Sequence, residues 1–323
     1  MERAIILRTP GGPEALKPEP IVLAAPGEGQ VLLRHTAIGV NFHDCYVRSG
    51  LYSTLPLPGV PGLEGVGVVE AVGPGVSGFK AGDRVAYVTR EYGGYATARL
   101  IAASYLHEVP DGLDDRTVAS SFLRGLTAHA LVRQVTAIRP GQTVLVHAAA
   151  GGVGRLVCRW ASHLGATVIG TVGSEEKAAA ARGNGCAHTI LYRAENFVDR
   201  VRDITGGRGV DVAYDSVGKD TFGGSLEALA MRGHLVNFGQ ASGPIEPFRI
   251  SLLFEKSNTI TRPNVFHYFV GEEREVMVKA LFEALAKGVI AAGHRHEYPL
   301  DEAARAHADM EERRTSGAVL LIP

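Results

Sequence analysis

The sequence predicts an α/β protein with a mostly-β region and a doubly wound parallel sheet, and three observations carry that reading. The first 110 residues hold short β-branched runs broken by turn signals. After Asp111 five apolar runs alternate strictly with four helix-like segments, the pattern of parallel strands joined by crossover helices. The chain has 323 residues, which suits about two domains of roughly 150 residues each.

In chain order, Val31–Leu33, Val66–Val72, Arg84–Val88 and Ile101–Ala103 read as strands. Gly11-Gly12-Pro13, Pro26-Gly27, Pro74-Gly75 and Gly82-Asp83 punctuate them as turns. Asp114–Arg139 is helical in composition. Strands are then expected at Thr143–Val146, Thr167–Val172, Thr189–Tyr192, Val210–Tyr214 and Leu235–Phe238, with helices at Gly152–Leu164, Glu175–Arg182, Phe197–Ile204 and Thr221–Met231 between them. The tail adds helices at Glu272–Lys287 and Asp301–Arg313 and a strand at Ala318–Ile322.

Composition excludes several functions. Thirty-three Lys and Arg against 34 Asp and Glu leave a net charge of -1, which argues against nucleic acid as a partner. The longest stretches free of charged residues, such as Pro140–Gly154, are too short for a bilayer span of about 20 apolar residues. Met1-Glu2-Arg3 followed by a few apolar residues before Arg8 lacks the apolar core of a secretory signal, so a cytoplasmic protein is expected. The three cysteines, Cys45, Cys158 and Cys186, are far apart and form no C-x-x-C pair, which fits a reducing compartment.

The strand Thr143–Val146 runs into His147-Ala148-Ala149-Ala150-Gly151-Gly152-Val153-Gly154 and then a helix. A strand, a glycine turn and a helix start bring backbone N–H groups to a pyrophosphate. The glycines follow A-x-x-G-x-x-G rather than the strict G-x-G-x-x-G. An NAD-binding chain usually places a carboxylate at the end of the next strand for the ribose 2′-hydroxyl. Here that strand ends Thr171-Val172-Gly173-Ser174, with Lys177 one helical turn on. Small residues leave room for a 2′-phosphate and the lysine supplies a cation, so NADPH is the expected cofactor rather than NADH.

Several motifs together resemble one family: Gly39-Val40-Asn41-Phe42-His43-Asp44, Tyr46-Val47-Arg48-Ser49-Gly50-Leu51-Tyr52, the Ala-Ala-Gly-Gly-Val-Gly turn, and Gly170-Thr171-Val172-Gly173-Ser174. They are similar to the quinone oxidoreductase (zeta-crystallin-like) branch of the medium-chain dehydrogenase/reductase superfamily. The likeness extends over Arg116–Ala128 and the closing Gly317–Pro323; Arg159, where that family usually has Gln, departs from it. The resemblance implies a GroES-like catalytic domain formed by residues 1–124 and 264–323, with a Rossmann NADPH-binding domain, 125–263, inserted between them and the cofactor in the cleft.

The superfamily's zinc enzymes carry G-H-E-x-x-G-x(5)-G-x-x-V, whose His binds the catalytic metal. This chain keeps Gly62, Glu64, Gly67, Gly73 and Val76 but has Leu63 at the ligand position, and the segment holding Asn41 lacks the expected thiolate. No metal site is expected, and His294-x-His296 reads as surface or turn histidines. Without a Lewis acid, reduction of a quinone or of the β-carbon of an enone fits better than alcohol or ketone chemistry, because the delocalised anion needs little electrophilic help.

By resemblance, Asn41, Tyr46 and Tyr52 line the nicotinamide and substrate pocket as positioning groups, with protonation through Tyr52 considered, and Asp44 fixes a loop or a ribose contact. Thr127, Gly152, Val153, Tyr192, Val217, Phe238, Gly239 and Gln240 are expected at the cofactor, beside Gly173, Ser174 and Lys177. Val217 and Phe238-Gly239-Gln240 are also expected there because ligands bind at the carboxyl ends of strands in such sheets. The expected activity is NADPH:quinone oxidoreduction, by zinc-independent transfer of hydride or of electrons from NADPH to quinones. An NADPH-dependent reductase of α,β-unsaturated aldehydes or ketones and a non-catalytic NADPH-binding crystallin-like protein stand as alternatives. The family implies a homodimer.

Overall fold

A computed structural model describes residues 1–323, which divide into two units. The first comprises Met1–Leu123 and Ala291–Pro323, the second Arg124–Ile290.

The first unit opens with a hairpin of β1 (Arg3–Leu7) and β2 (Leu16–Pro20), paired antiparallel from Arg3↔Pro20 to Leu7↔Leu16. Its sheet is built on β3 (Gln30–Val40), whose alternate residues Val31, Leu33, His35 and Ala37 are buried. A short helix, α1 (Phe42–Ser49), follows and ends at Gly50, whose φ of 84° closes the helix in the left-handed region that glycine occupies without strain. The sheet continues through β4 (Glu64–Val72), β5 (Arg84–Val88), β6 (Ala98–Ala102) and β7 (Leu106–Glu108), and a helical turn, α2 (Asp115–Ala119), is capped by the Asp114 carboxylate.

Helix α3 (Phe122–His129) leads into the second unit and widens over Ala130–Val135 into a π-type segment, so the stretch 114–139, helical in composition, holds α2, α3 and that segment. Then β8 (Thr143–Val146), α4 (Gly152–His163), β9 (Thr167–Val172), α5 (Glu175–Gly183), β10 (His188–Leu191), α6 (Phe197–Ile204) and β11 (Val210–Asp215) follow the expected alternation closely. Next come α7 (Phe222–Ala228), β12 (Leu229–Asn237) and β13 (Thr259–Thr261). All pairings are parallel, in the order β10-β9-β8-β11-β12-β13. The order reverses at β8, flanked by β9 and β11, and the crevice at the carboxyl ends of those strands is where such a sheet binds ligands. Leu145, Ile169, Ile190, Ala213 and Leu235 form the buried face behind it.

Two expectations in this unit are corrected. Helix α7 stops at Ala228 rather than Met231, because Leu229 pairs with Val210 and begins the strand there. A sixth strand, β13, was hidden by its length of three residues.

Helix α8 (Gly271–Ala286) corrects the domain limits. The chain returns to the first unit at Ala291, not at 264. Residues 264–290 stay with the second unit because α8 is held there: Gln134 Nε2 donates to Glu273 at 2.8 Å, and Leu281 lies against Gly125. Arg159, the family departure, donates to the carbonyls of Gly288 (2.9 Å) and Val289 (3.1 Å) just past the end of α8. The first unit finishes with β14 (Arg295–Pro299), α9 (Ala303–Glu311) and β15 (Ala318–Ile322), which completes the sheet order β14-β15-β3-β4-β5-β7, β6 pairing with β3. Ile5, Leu7, Ile38, Val40, Tyr298, Ala306 and Leu321 pack into one buried cluster there.

Candidate active site

In the first unit the site is set by the start of α1. Asn41 is the N-cap, and its N–H donates to Asp44 Oδ2 at 2.8 Å in a reciprocal capping box. The Asn41 side-chain amide donates to Glu64 Oε1 at 2.8 Å, while Glu64 Oε2 accepts from Leu123 N at 2.8 Å. Glu64 is 1% exposed, so this carboxylate is a buried anchor that fixes the Asn41 amide.

The Asp44 side chain is 0% exposed and accepts from Asn41 N and from Tyr95 OH at 3.0 Å, so it fixes the loop, the first of the two roles expected for it. Tyr95 OH also hydrogen-bonds His307 Nε2 at 2.9 Å, tying α1 to the tail helix α9.

The structure brings Tyr46 and Tyr52 together, with ring centroids 5.1 Å apart at 65° and Tyr52 N donating to Tyr46 O at 3.0 Å. His43, three residues before Tyr46 on α1, joins them at 5.4 Å from the Tyr52 ring. Burial, with the Arg90 cation adding to it, lowers the His43 imidazole to about 4. Its Nε2 lies 3.0 Å from Tyr92 OH, and the two rings stack with centroids 6.1 Å apart. His43, Glu64 and Tyr92 were not assigned from sequence. The i, i+3 spacing of His43 and Tyr46 is the signal that could have found the first.

Leu63 is 2% exposed and fills the position of the zinc enzymes' ligand with a packed aliphatic side chain. No group of three or more His, Cys, Asp or Glu side chains able to hold a metal ion occurs.

In the second unit the turn after β8 is tight. Ala148 sits at φ 51°, its carbonyl accepts from Gly151 N at 2.8 Å, and α4 begins at Gly152. Gly154 is needed for close approach, since a Cβ there would lie 2.3 Å from Ala148 O. Gly152 and Val153 are half-buried in the first helical turn, whose N–H groups have no intrahelical partner. Beneath the turn, His147 bridges Thr171 Oγ1 and Ser225 Oγ, both at 2.9 Å, and burial holds its pKa below the ordinary value, as a neutral imidazole.

At the ends of β9 and β10 the expected residues converge. Ser174 caps α5 by accepting from Lys177 N at 3.3 Å, Tyr192 N donates to Val172 O, and the Tyr192 side chain is 40% exposed. A Cβ on Gly173 would come within 2.8 Å of Tyr192 OH, so the missing side chain there makes room beside the phenol.

At β11 and β12, Asp215 is 0% exposed and its Oδ1 accepts from Val217 N (2.8 Å), Gly218 N (3.0 Å) and Thr221 Oγ1 (2.8 Å). Phe238 N donates to Asp215 O at 2.8 Å and Ser242 N to Val217 O at 2.8 Å, lacing Val217 and Phe238-Gly239-Gln240 into one rim. Arg262, just after β13, donates to Asn237 Oδ1 and to Gly239 O at 2.9 Å and so supports the rim. Thr127 is half-buried on α3.

The comparisons with known proteins agree with this architecture. Residues 27–111 match the alcohol dehydrogenase GroES-like domain and residues 152–285 the family described as zinc-binding dehydrogenase. The chain is 46% identical over 331 residues to a 2-haloacrylate reductase of a Burkholderia species, covering 100% of this chain and 99% of that protein. It is 45% identical over 328 residues to a quinone oxidoreductase of Pseudomonas aeruginosa, covering 100% of both. The structure of Escherichia coli quinone oxidoreductase complexed with NADPH superposes with a TM-score of 0.96 at 42% identity over 100% of both chains.

Proposed function

Because the chain belongs to the quinone oxidoreductase branch of the medium-chain dehydrogenase/reductase superfamily, we propose that it reduces quinones with NADPH and without zinc. The observation that carries the zinc-free reading is Leu63, packed at the ligand position, with the neighbouring Glu64 committed to Asn41 and Leu123. That chemistry suits an acceptor whose charge delocalises on reduction.

In this reading the N–H groups of Gly152 and Val153 bind the pyrophosphate, Gly173, Ser174, Lys177 and Tyr192 hold the 2′-phosphate and adenosine, and Thr127, Val217, Phe238, Gly239 and Gln240 contact the rest of the dinucleotide. NADPH supplies two electrons and one hydrogen as hydride. Asn41, Tyr46 and Tyr52 orient the acceptor, and much of the rate comes from that positioning. Lys177→Ala is expected to weaken NADPH binding by about 1.5 to 3 kcal/mol, the worth of a charged hydrogen bond, with little effect on NADH. Calorimetric titration with both cofactors checks this, and equal losses would remove the 2′-phosphate assignment.

A second reading, reduction of a conjugated double bond, is favoured by the 46% identity to a 2-haloacrylate reductase. Turnover of quinones against α,β-unsaturated aldehydes, ketones and acrylates at matched concentrations separates the two. No helix is long and apolar enough to cross a membrane, and three buried free cysteines support a cytoplasmic location. A homodimer is proposed at the edge strand β13, which pairs only with β12. Nearby Met231, Ile250, Leu252 and Phe254 are 67%, 79%, 61% and 87% exposed. Small-angle scattering should give about twice the 34.2 kDa chain mass; a monomer mass refutes the dimer.

A further inference from the structure

We infer that the proton consumed in the reduction is delivered through a side-chain relay, Thr54 to Tyr92 to His43, with His43 Nδ1 facing the acceptor oxygen. The inference rests on the quinone-reductase reading. Two-electron reduction of a quinone by NADPH takes up one proton per turnover to yield hydroquinone and NADP⁺, so on that route water must reach the acceptor directly or through side chains.

The carboxylates nearest α1 are committed elsewhere, Asp44 and Glu64 both being buried in the anchoring of Asn41. His43 is differently placed. It shares a helical face with Tyr46, contacts the Tyr52 ring at 5.4 Å, and has Nε2 3.0 Å from Tyr92 OH while Nδ1 has no protein partner. Tyr92 OH also hydrogen-bonds Thr54 Oγ1, and Thr54 is exposed. The chain of groups therefore begins at solvent and ends at the tyrosines proposed to hold the acceptor.

Tyr92 itself is 4% exposed yet sits at φ 52°, a conformation disfavoured for a large side chain and concentrated at functional positions. A histidine held near 4 is neutral at pH 7, with one nitrogen protonated and the other a free acceptor. The acceptor oxygen takes the Nδ1 proton as that N–H bond breaks, and Nε2 takes the phenolic proton of Tyr92. Tyr92 is reprotonated by Thr54, and Thr54 by water. Exchange with water returns the imidazole to its starting tautomer between turnovers.

The test measures quinone-dependent kcat and its solvent deuterium isotope effect in wild type, His43→Ala, Tyr92→Phe and Tyr52→Phe. Nitrogen NMR of His43 in the cofactor-free protein accompanies it. His43→Ala should lower kcat about 10- to 100-fold, with KM for NADPH within about twofold, and free imidazole should restore part of the loss. Tyr92→Phe should lower kcat about tenfold, and NMR should show the Nδ1–H tautomer in the wild type with the Nε2 signal shifting in Tyr92→Phe. Unchanged kcat and isotope effect in His43→Ala, an Nε2–H tautomer, or an isotope effect lost only in Tyr52→Phe would overturn the relay. A wild type that reduces no quinone fails the underlying reading; a wild type and a His43→Ala that turn over equally fail the relay alone.

Discussion

Gly154→Val is expected to abolish measurable NADPH binding, a loss of at least about 100-fold or roughly 2.7 kcal/mol. A Cβ at this position would lie 2.3 Å from Ala148 O and 3.0 Å from Ala148 C, backbone atoms that no rotamer change can move aside. The branched valine must therefore push the start of α4 away from the turn after β8. Overpacking of this kind costs about 1–3 kcal/mol of stability, which leaves the unit folded. The displaced atoms are the N–H groups of Gly152 and Val153 at the helix start, so the cofactor loses its pyrophosphate contacts together. Fluorescence titration with NADPH beside a thermal melt checks both halves. An affinity within about threefold of wild type would show that the turn is not the phosphate site.

The second large effect is expected for Glu64→Ala. One carboxylate, 1% exposed, accepts 2.8 Å bonds from both the Asn41 amide and the Leu123 N–H. Removing it strips one buried and one half-buried donor of this acceptor, at about 1–3 kcal/mol each, for a total near 2–6 kcal/mol. That corresponds to a fall in Tm of about 5–15 °C. The Asn41 amide then loses its fixed direction, so kcat should drop alongside stability. Glu64→Gln keeps one acceptor oxygen and the side-chain shape and should recover about half of the lost stability. Calorimetry and steady-state kinetics on both variants check this. A melt unchanged in Glu64→Ala would mean that the carboxylate is not the anchor described.

Much of the nucleotide-binding unit was legible because its signals are local. The apolar run Thr143–Val146, its glycine turn and the following helix each announce themselves within a dozen residues, and β8 and α4 begin where expected. Leu63 was legible against an otherwise intact frame. What sequence did not show depends on partners distant along the chain. Helix α8 belongs to the second unit through Leu281 against Gly125 and through Arg159 at Gly288 and Val289, contacts that leave no periodic trace. The loop-fixing role of Asp44 depends on Tyr95, whose hydroxyl donates to it from 51 positions away. His43 and Tyr92 meet across 49 positions, and only the folded chain sets the imidazole beside Tyr52.

These contacts also separate positioning from chemistry. Asp215, His147 and Arg262 organise the ends of β8, β11 and β12 through hydrogen bonds, so substitutions there should act on cofactor affinity through loop geometry. Around α1 the same division holds: Glu64 and Asp44 fix Asn41, while His43, Tyr46 and Tyr52 form the aromatic surface against which a planar acceptor can lie.

Anaerobic oxidation of NADPH by the purified protein across a panel of benzoquinones and naphthoquinones decides whether the chain is a quinone reductase. Saturable oxidation that requires a quinone and is much slower with NADH is expected. Tight NADPH binding with no quinone-dependent oxidation anywhere in the panel would contradict it and favour a non-catalytic NADPH-binding protein.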